Sequence, residues 1–494
     1  MPELRSQPPS IGSNNRAYYY QQAINAWTRP DGVPYQITNT PRFAYDHACI
    51  IAQWWHELNS QRPLTIIDLG AGTGQFSFYL SMFLQQHIPS LYGHGTFRLV
   101  MLDCSPNLIS GWYKHPQLAP MIDRGQIICT LDQSPDQDWR NALPDCQNDT
   151  CVWIANYFFS CLDHQCWQRI DQAWQTMVPN TQSILTDSTP LTFRPTSYQQ
   201  PTDPPLVTLL NDYARTLPTP YCLIPTGPLE KIHAIAQYSQ APGLLIAHDK
   251  GYRSIDDIAY NSQFDWVQEG SYATMVNFDA LYKLCPAGCT PMVATTQQPA
   301  IQPFVAAFHH VLTNAPKTCG QIDALLFTPK RQGYDLCQTL SHHHLCANSL
   351  LEIQREFHFD PLLLAAFAPT LMSLYPSLSS SIRNDCQTMI KRCIQGYFAM
   401  PHTENDAILL ARLARRFQQP KIAQQCLDGH PDSDSFYYHF EKSLIFLATQ
   451  QIERAEKSYM LAQKRNPTHP WIQACTQGKS LWIEHLQSRL DRYL

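Results

Sequence analysis

Seven residues in the first third of the chain could do chemistry: Asp68, the glycines 70, 72 and 74, Asp103, Asp132 and Asn156. The glycines form a G-x-G-x-G turn, Gly70-Ala71-Gly72-Thr73-Gly74, directly after Ile66-Ile67-Asp68-Leu69. Glycine lets a backbone take positive φ and approach a ligand closely, and a helix starting at such a turn exposes free N–H groups. Acids before and after the turn can meet the amino and hydroxyl groups of a nucleotide-like cofactor that the turn, Ala71 included, cradles.

The elements that must position these residues are visible in the pattern. The apolar run Leu64 to Leu69 fits a strand covered on both faces, and Gln75 to Gln85 carries Phe76, Tyr79, Leu80, Phe83 and Leu84 at helical spacing. A second strand, Phe97 to Leu102, ends in Asp103, 29 residues after Gly74, with polar Gln86 to Gly95 taking up the excess. A dinucleotide site wants G-x-G-x-x-G and an acid about 20 residues on. The spacing here, with Asp68 before the loop, resembles the first motif of class I S-adenosyl-L-methionine (SAM) methyltransferases more than an NAD site. On that reading SAM is the cofactor. Gly70, Gly72 and Gly74 approach its amino-acid and ribose part, Asp68 faces its ammonium group, and Asp103 accepts from the ribose diol. Asp132, after a third strand at Gln126 to Leu131, meets the adenine amino group or caps a turn.

A fourth strand, Cys151 to Ala155, ends in Asn156-Tyr157-Phe158-Phe159, where open α/β sheets place reacting groups. Methyl transfer is an in-line displacement that needs an aligned, dehydrated nucleophile, so much of its catalysis is positional. Asn156 can accept from a substrate N–H, while Tyr157 and the two phenylalanines either wall the methyl site or are core.

Further along, helices are expected at Asn107 to Tyr113, Asp163 to Met177, Leu229 to Tyr238 and Phe278 to Leu284. Strands are expected at Ser183 to Leu185 and Gly243 to His248, with an extended segment at Pro291 to Thr296. Alternation of this kind makes a doubly wound, Rossmann-like α/β sheet. Residues 1–15 are expected to be disordered, 16–305 to form the cofactor domain with a proline-rich wall or lid at 188–228, and 306–494 to be all-α. There Ala455, Tyr459, Ala462 and Pro467, with Ser443 and Phe446, follow tetratricopeptide spacing. Ala423 heads a similar unit 32 residues before Ala455, with Leu427. Either a repeat over about 405–470 or a plain bundle offers a helix-lined surface to a protein or peptide.

Composition narrows the partners. At 494 residues there is room for about three domains, and a net charge of −5 gives no electrostatic reason to expect nucleic acid or a lipid surface. Residues 1–9 lack an apolar leader and no apolar run reaches about 18 residues, so a soluble cytoplasmic protein is expected. The 17 cysteines show no zinc-type spacing and read as reduced thiols, without a metal; Cys285 and Cys289 flank a turn and could pair under oxidation. His342-His343-His344 reads as an exposed loop.

Three blocks carry a family resemblance: Thr65 to Gly74, Met101-Leu102-Asp103-Cys104-Ser105-Pro106, and Ala155-Asn156-Tyr157-Phe158-Phe159-Ser160-Cys161-Leu162. With Tyr35 to Thr40 and Gly270 to Phe278, in the same order and spacing, they resemble the MidA-like methyltransferases, the family of the mitochondrial complex I assembly methyltransferase. The likeness spans about residues 18 to 305. It implies a class I SAM-dependent enzyme, with protein arginine as acceptor in the mitochondrial member. The family's fourth motif reads Asn-Glu-Phe-Phe-Asp, whereas Tyr157 and Ser160 stand here in place of the acids that would grip a guanidinium. Its acidic strand end, usually Asp-Tyr-Gly, is replaced by Ala247-His248-Asp249-Lys250-Gly251-Tyr252, where His248 and Asp249 supply a base or clamp or form a solvated turn. The expected function is methyl transfer to a protein or peptide recruited by the helical part. The alternatives are a silent SAM-binding scaffold, a small-molecule methyltransferase and, with a poorer fit of the loop, an NAD-dependent oxidoreductase.

Overall fold

Leu64–Leu69 forms β1 with every residue buried, as a strand covered on both faces must be. The computed structural model describes residues 10–475 apart from 30–32, 34, 60–61, 93–96, 133–138, 172, 180–192, 196–200, 220, 261–265, 270, 293–300, 328–344 and 432. Helices α1 (Ile11–Gln22), α2 (Asn25–Thr28) and α3 (Pro41–Glu57) precede β1. After it come α4 (Gln75–Tyr92), β2 (Phe97–Asp103), α5 (Pro106–Lys114), α6 (Ala119–Asp123), β3 (Ile127–Leu131) and β4 (Thr150–Asn156). The first helix begins at Ile11, inside the stretch expected to be disordered, because Ser10 caps it by accepting the Ser13 N–H. β2 and β3 lie on one side of β1 and β4 on the other, all parallel. That reversal opens a crevice at the C-terminal ends of β1 and β4, the place where such sheets bind ligands.

After β4 the helical reading fails. Most of Asp163 to Met177 falls instead in β5 (Gln165–Ile170) and β6 (Ala173–Pro179), a hairpin turning at Asp171 with φ +47°. With β7 (Phe193–Pro195), α7 (Pro204–Thr216) and β8 (Tyr221–Ile224) it builds a separate antiparallel sheet, order β7-β6-β5-β8. The physical reason is tertiary: Trp167 and Trp174 are buried with Leu209, Leu210 and Tyr213 of α7, a partner that local spacing does not reveal. The break in the main sheet's rhythm therefore starts at Gln165, ahead of residue 188. Ser183 to Leu185 lies outside the described residues.

The chain returns through α8 (Thr226–Tyr238) to β9 (Gly243–Asp249), parallel beside β4. Two small pairs follow, β10 (Gly251–Tyr252) with β13 (Val276–Asn277) and β11 (Trp266–Glu269) with β12 (Ser271–Thr274), along with α9 (Ile255–Tyr260) and α10 (Phe278–Lys283). β14 (Cys289–Met292) and β15 (Gln302–Phe308) then complete an α/β sheet of order β14-β15-β9-β4-β1-β2-β3. β15 runs antiparallel to β9 and all seven of its residues are buried. The all-α reading of 306–494 is thus corrected at its start, where β15 runs to Phe308: a short apolar run cannot be told from a buried helix by periodicity.

Contacts divide the chain into two compact units, residues 1–39 with 43–330, and 40–42 with 331–494. The last described elements of the first are α11 (Pro316–Ile322) and a π-helical turn at Asp323–Phe327. In the second, every described element from residue 347 on is helical: α12 (Ala347–Glu356), α13 (Pro361–Leu374), α14 (Ser380–Gln395), α15 (Glu404–Arg416), α16 (Pro420–Asp428), α17 (Phe436–Ala448), α18 (Ile452–Arg465) and α19 (Pro470–Cys475). Short links join α15 to α16 and α17 to α18. Ala423 and Leu427 on α16, Ser443 on α17, and Ala455, Tyr459 and Ala462 on α18 are all buried. A buried Arg415–Glu441 ion pair, 2.6 Å, ties α15 to α17. His342 to His344 fall outside the described residues. Among those described, the cysteines are free thiols, no acid, histidine and cysteine cluster could hold a metal, and no helix is long and apolar enough to cross a membrane.

Candidate cofactor and active site

The turn after β1 is shaped by its glycines. Gly70, Gly72 and Gly74 have φ of +68°, +55° and +79°. A Cβ on Gly70 would lie 2.9 Å from the Phe158 ring, and one on Gly72 would lie 3.1 Å from Trp27, so side chains there would fill the space over the loop. The loop is tied down along its length. Gly70 and Ala71 donate N–H to the Leu102 carbonyl at 2.9 and 3.1 Å, and Trp112 Nε1 donates to the Gly72 carbonyl at 3.0 Å. Above it sits a cavity of about 530 Å³ whose lining includes Asp68, Gly70, Ala71, Gly72, Asp103, Asp132, Asn156 and Tyr157.

The acids differ in what they already hold. Asp68 is buried and accepts the Ser77 hydroxyl at 2.7 Å. Burial pushes its carboxyl up to about 7 against that hydrogen bond, with the nearby Asp103 charge adding to the rise. Asp103 accepts Gly72 N–H on one oxygen and Ser105 N–H on the other, at 3.0 and 3.1 Å, and burial raises its carboxyl despite these bonds. Cys104 also donates to it, from its backbone and its thiol. Asp132 lines the cavity paired with Arg16 at 2.9 Å.

At the end of β4, Asn156 stands in register with His248 of β9. Its amide nitrogen and oxygen are both buried with no hydrogen-bond partner, which is costly unless a ligand completes them. Tyr157 follows with φ +50° and donates its N–H to the His248 carbonyl at 2.8 Å. A non-glycine residue held there stores about 1–3 kcal/mol of strain, a common feature of functional sites.

His248 and Asp249 are not in the cavity lining. Both are buried, so neither forms the solvated turn that the sequence allowed. The His248 ring sits 4.8 Å from Phe43 and 5.0 Å from His47, and burial followed by the His47 charge holds it well below the usual imidazole range. Asp249 accepts the backbone N–H groups of Ser160 and Lys250 at 2.8 and 2.9 Å, and burial raises it to about 7. It shapes the β4 loop from behind.

Several cavity residues escaped the sequence reading. One wall is α1, whose Gly12 N–H donates to Asp163 at 2.8 Å, whose Asn15 amide donates to the Cys161 carbonyl at 3.1 Å, and whose Tyr19 hydroxyl meets Ser271 at 2.9 Å. Asn39 lines the cavity too, accepting the Phe76 N–H of α4 at 3.1 Å. Lys231 of α8 lies over the Trp139 ring at 4.3 Å beside Phe158. The sequence signal for them was the resemblance of Tyr35 to Thr40 and Gly270 to Phe278 to family blocks, which assigns no role to a single residue.

A glycine loop at the switch point of a parallel sheet, with one acid before it and one at the end of β2, is consistent with a class I methyltransferase-like fold. Comparison with known proteins agrees: residues 48–264 match a family described as "Putative S-adenosyl-L-methionine-dependent methyltransferase". The chain is a SAM-dependent methyltransferase, and SAM is its cofactor. No curated protein matches the sequence. Similar solved structures include a Burkholderia thailandensis protein bound to S-adenosyl-homocysteine, 12% identical with a TM-score of 0.40, the match covering 57% of this chain and 74% of that one. A native structure of an uncharacterized protein of the same superfamily and organism is 12% identical with a TM-score of 0.41, covering 62% and 89%.

Proposed function

We propose that this enzyme methylates a protein or peptide acceptor, in the MidA-like manner its sequence blocks suggest, and that the helical unit recruits that acceptor. The observation that carries the acceptor site is Asn156, whose buried amide in the cavity wall has no partner of its own.

The residues present fit the cofactor. Bound there, SAM supplies an electrophilic methyl group. Gly70 and Gly72 leave room for it, Asp68 is a buried carboxylate that an ammonium would compensate, and Asp103, in the cavity lining at the end of β2, is the carboxylate for a ribose diol. Asp132, with Arg16 on one oxygen, takes the adenine end. Asn156 orients the acceptor through its carbonyl, and Tyr157 and Phe158 exclude water. His248 and Asp249 act from behind the wall, holding the β4 loop, and are positioning residues. Tyr157 and Ser160 stand where the resembling family carries acids, so a guanidinium is not the favoured acceptor.

Recruitment is read from the second unit. The successive pairs α15–α16 and α17–α18, with small buried residues Ala423 and Ala455 at equivalent places, support a tetratricopeptide-like surface. Free thiols and the absence of a membrane-crossing helix among the described residues suit a cytoplasmic setting.

Calorimetry with SAM and with S-adenosyl-homocysteine tests the cofactor site, and folded protein that binds neither would sink the reading. Labelled SAM added to lysate with the full chain, and with a chain ending at Lys330 that still binds S-adenosyl-homocysteine, tests recruitment. Labelled protein bands lost on truncation support it, while label confined to small molecules overturns it.

A further inference from the structure

A helix that begins at a glycine loop is normally an anion site, because its first N–H groups are unpaired and its dipole favours negative charge. Here much of that opportunity is already taken. Gly70 and Ala71 donate to Leu102, Gly72 to Asp103, and Gly74 to the Ala71 carbonyl at 3.0 Å. Gln75, first in α4, donates to Thr73 Oγ1 at 3.3 Å, and Phe76, second in α4, donates to Asn39 Oδ1 at 3.1 Å. Of these groups only the last is held from outside the loop and its helix end and the strand beside them. Asn39 is itself fixed, since its Nδ2 donates to the Tyr35 carbonyl at 2.8 Å and to Thr38 Oγ1 at 3.3 Å. Tyr35, Thr38, Asn39, Thr73 and Phe76 all line the cofactor cavity.

We propose that Asn39 is a positioning and cofactor-selecting residue: its side-chain carbonyl occupies the α4 amide that a nucleotide phosphate would take, and so reserves the loop for a cofactor without phosphates. The argument rests on the SAM reading of the same cavity and adds a reason for its specificity. A pyrophosphate would have to break the Asn39–Phe76 bond and then sit near Asp68 and Asp103. SAM leaves that bond intact and meets the two acids with an ammonium group and a diol, not with an anion.

The test compares calorimetric binding of S-adenosyl-homocysteine and of ADP by the full chain and two variants. Wild type should bind S-adenosyl-homocysteine and not ADP; no binding of either would be a failure of the methyltransferase reading itself. With wild type binding, Asn39→Ala should weaken S-adenosyl-homocysteine about tenfold, the value of one hydrogen bond, and should gain measurable ADP binding. Asn39→Asp keeps an acceptor oxygen on the Phe76 N–H and should still refuse ADP. Should Asn39→Ala not fold, Asn39→Gln, which shifts the same groups by one methylene, takes its place with the same expectation. Unchanged S-adenosyl-homocysteine affinity in the Ala or Gln variant overturns the proposal. So does a loss with no ADP gain, or ADP binding by Asn39→Asp.

Discussion

Asp103 accepts the Gly72 N–H at 3.0 Å, so the acid that closes β2 and the glycine loop that follows β1 form one unit. The residue expected to read a ribose also holds the loop that approaches it. Loss of Asp103 therefore acts twice.

Asp103→Ala should weaken S-adenosyl-homocysteine binding by about 1–3 kcal/mol, since charge-assisted bonds to a diol and the support of Gly72 go together. Asp103→Asn should fall between wild type and Ala, because an amide keeps one acceptor. Calorimetry settles it, and wild-type affinity in the Ala variant would remove Asp103 from the cofactor site.

Asp68 should make cofactor affinity depend on pH. Burial pushes its carboxyl up to about 7, and an ammonium pairs only with the ionised form. Affinity should therefore fall as pH drops through 7, with a proton released on binding below that point. In the free protein the sign is opposite: a carboxyl raised in the fold costs stability as pH rises toward 7, and the cost disappears in acid. Binding heats in buffers of different ionisation enthalpy measure the proton release, which Asp68→Asn should abolish.

Asn156→Ala separates function from stability. Removing two buried, unpartnered polar atoms should leave the melting temperature unchanged or higher, while methyl transfer to the acceptor falls. A marked loss of thermal stability with normal transfer would instead make Asn156 structural.

Gly70→Ala should be destabilising by about 1–2 kcal/mol from its positive φ alone, with Phe158 forced aside by a Cβ 2.9 Å away. Denaturant melts measure the first effect. Weaker S-adenosyl-homocysteine binding than in wild type measures the second.

The cofactor half of the site was legible because it is local. Leu64 to Leu69, the three glycines and Asp103 lie at strand ends whose periodicity and turn chemistry are written in short windows, and Asp68, Asp103 and Asn156 all reach one cavity. The sequence by itself thus determined the α/β class, the loop and its cofactor, because backbone rules for burial and positive φ act over a few residues. Tertiary structure alone decided the rest. Gln165 to Pro179 pairs as a hairpin because α7 covers its tryptophans. Gln302 to Phe308 becomes a strand because β9 has an open edge. His248 and Asp249, neighbours of Asn156 across the sheet, turn away from the cavity, while Arg16 and Asn39, far from it in sequence, line it. Such choices depend on which surfaces meet after the chain has crossed over, and contacts between distant segments leave no period in the chain.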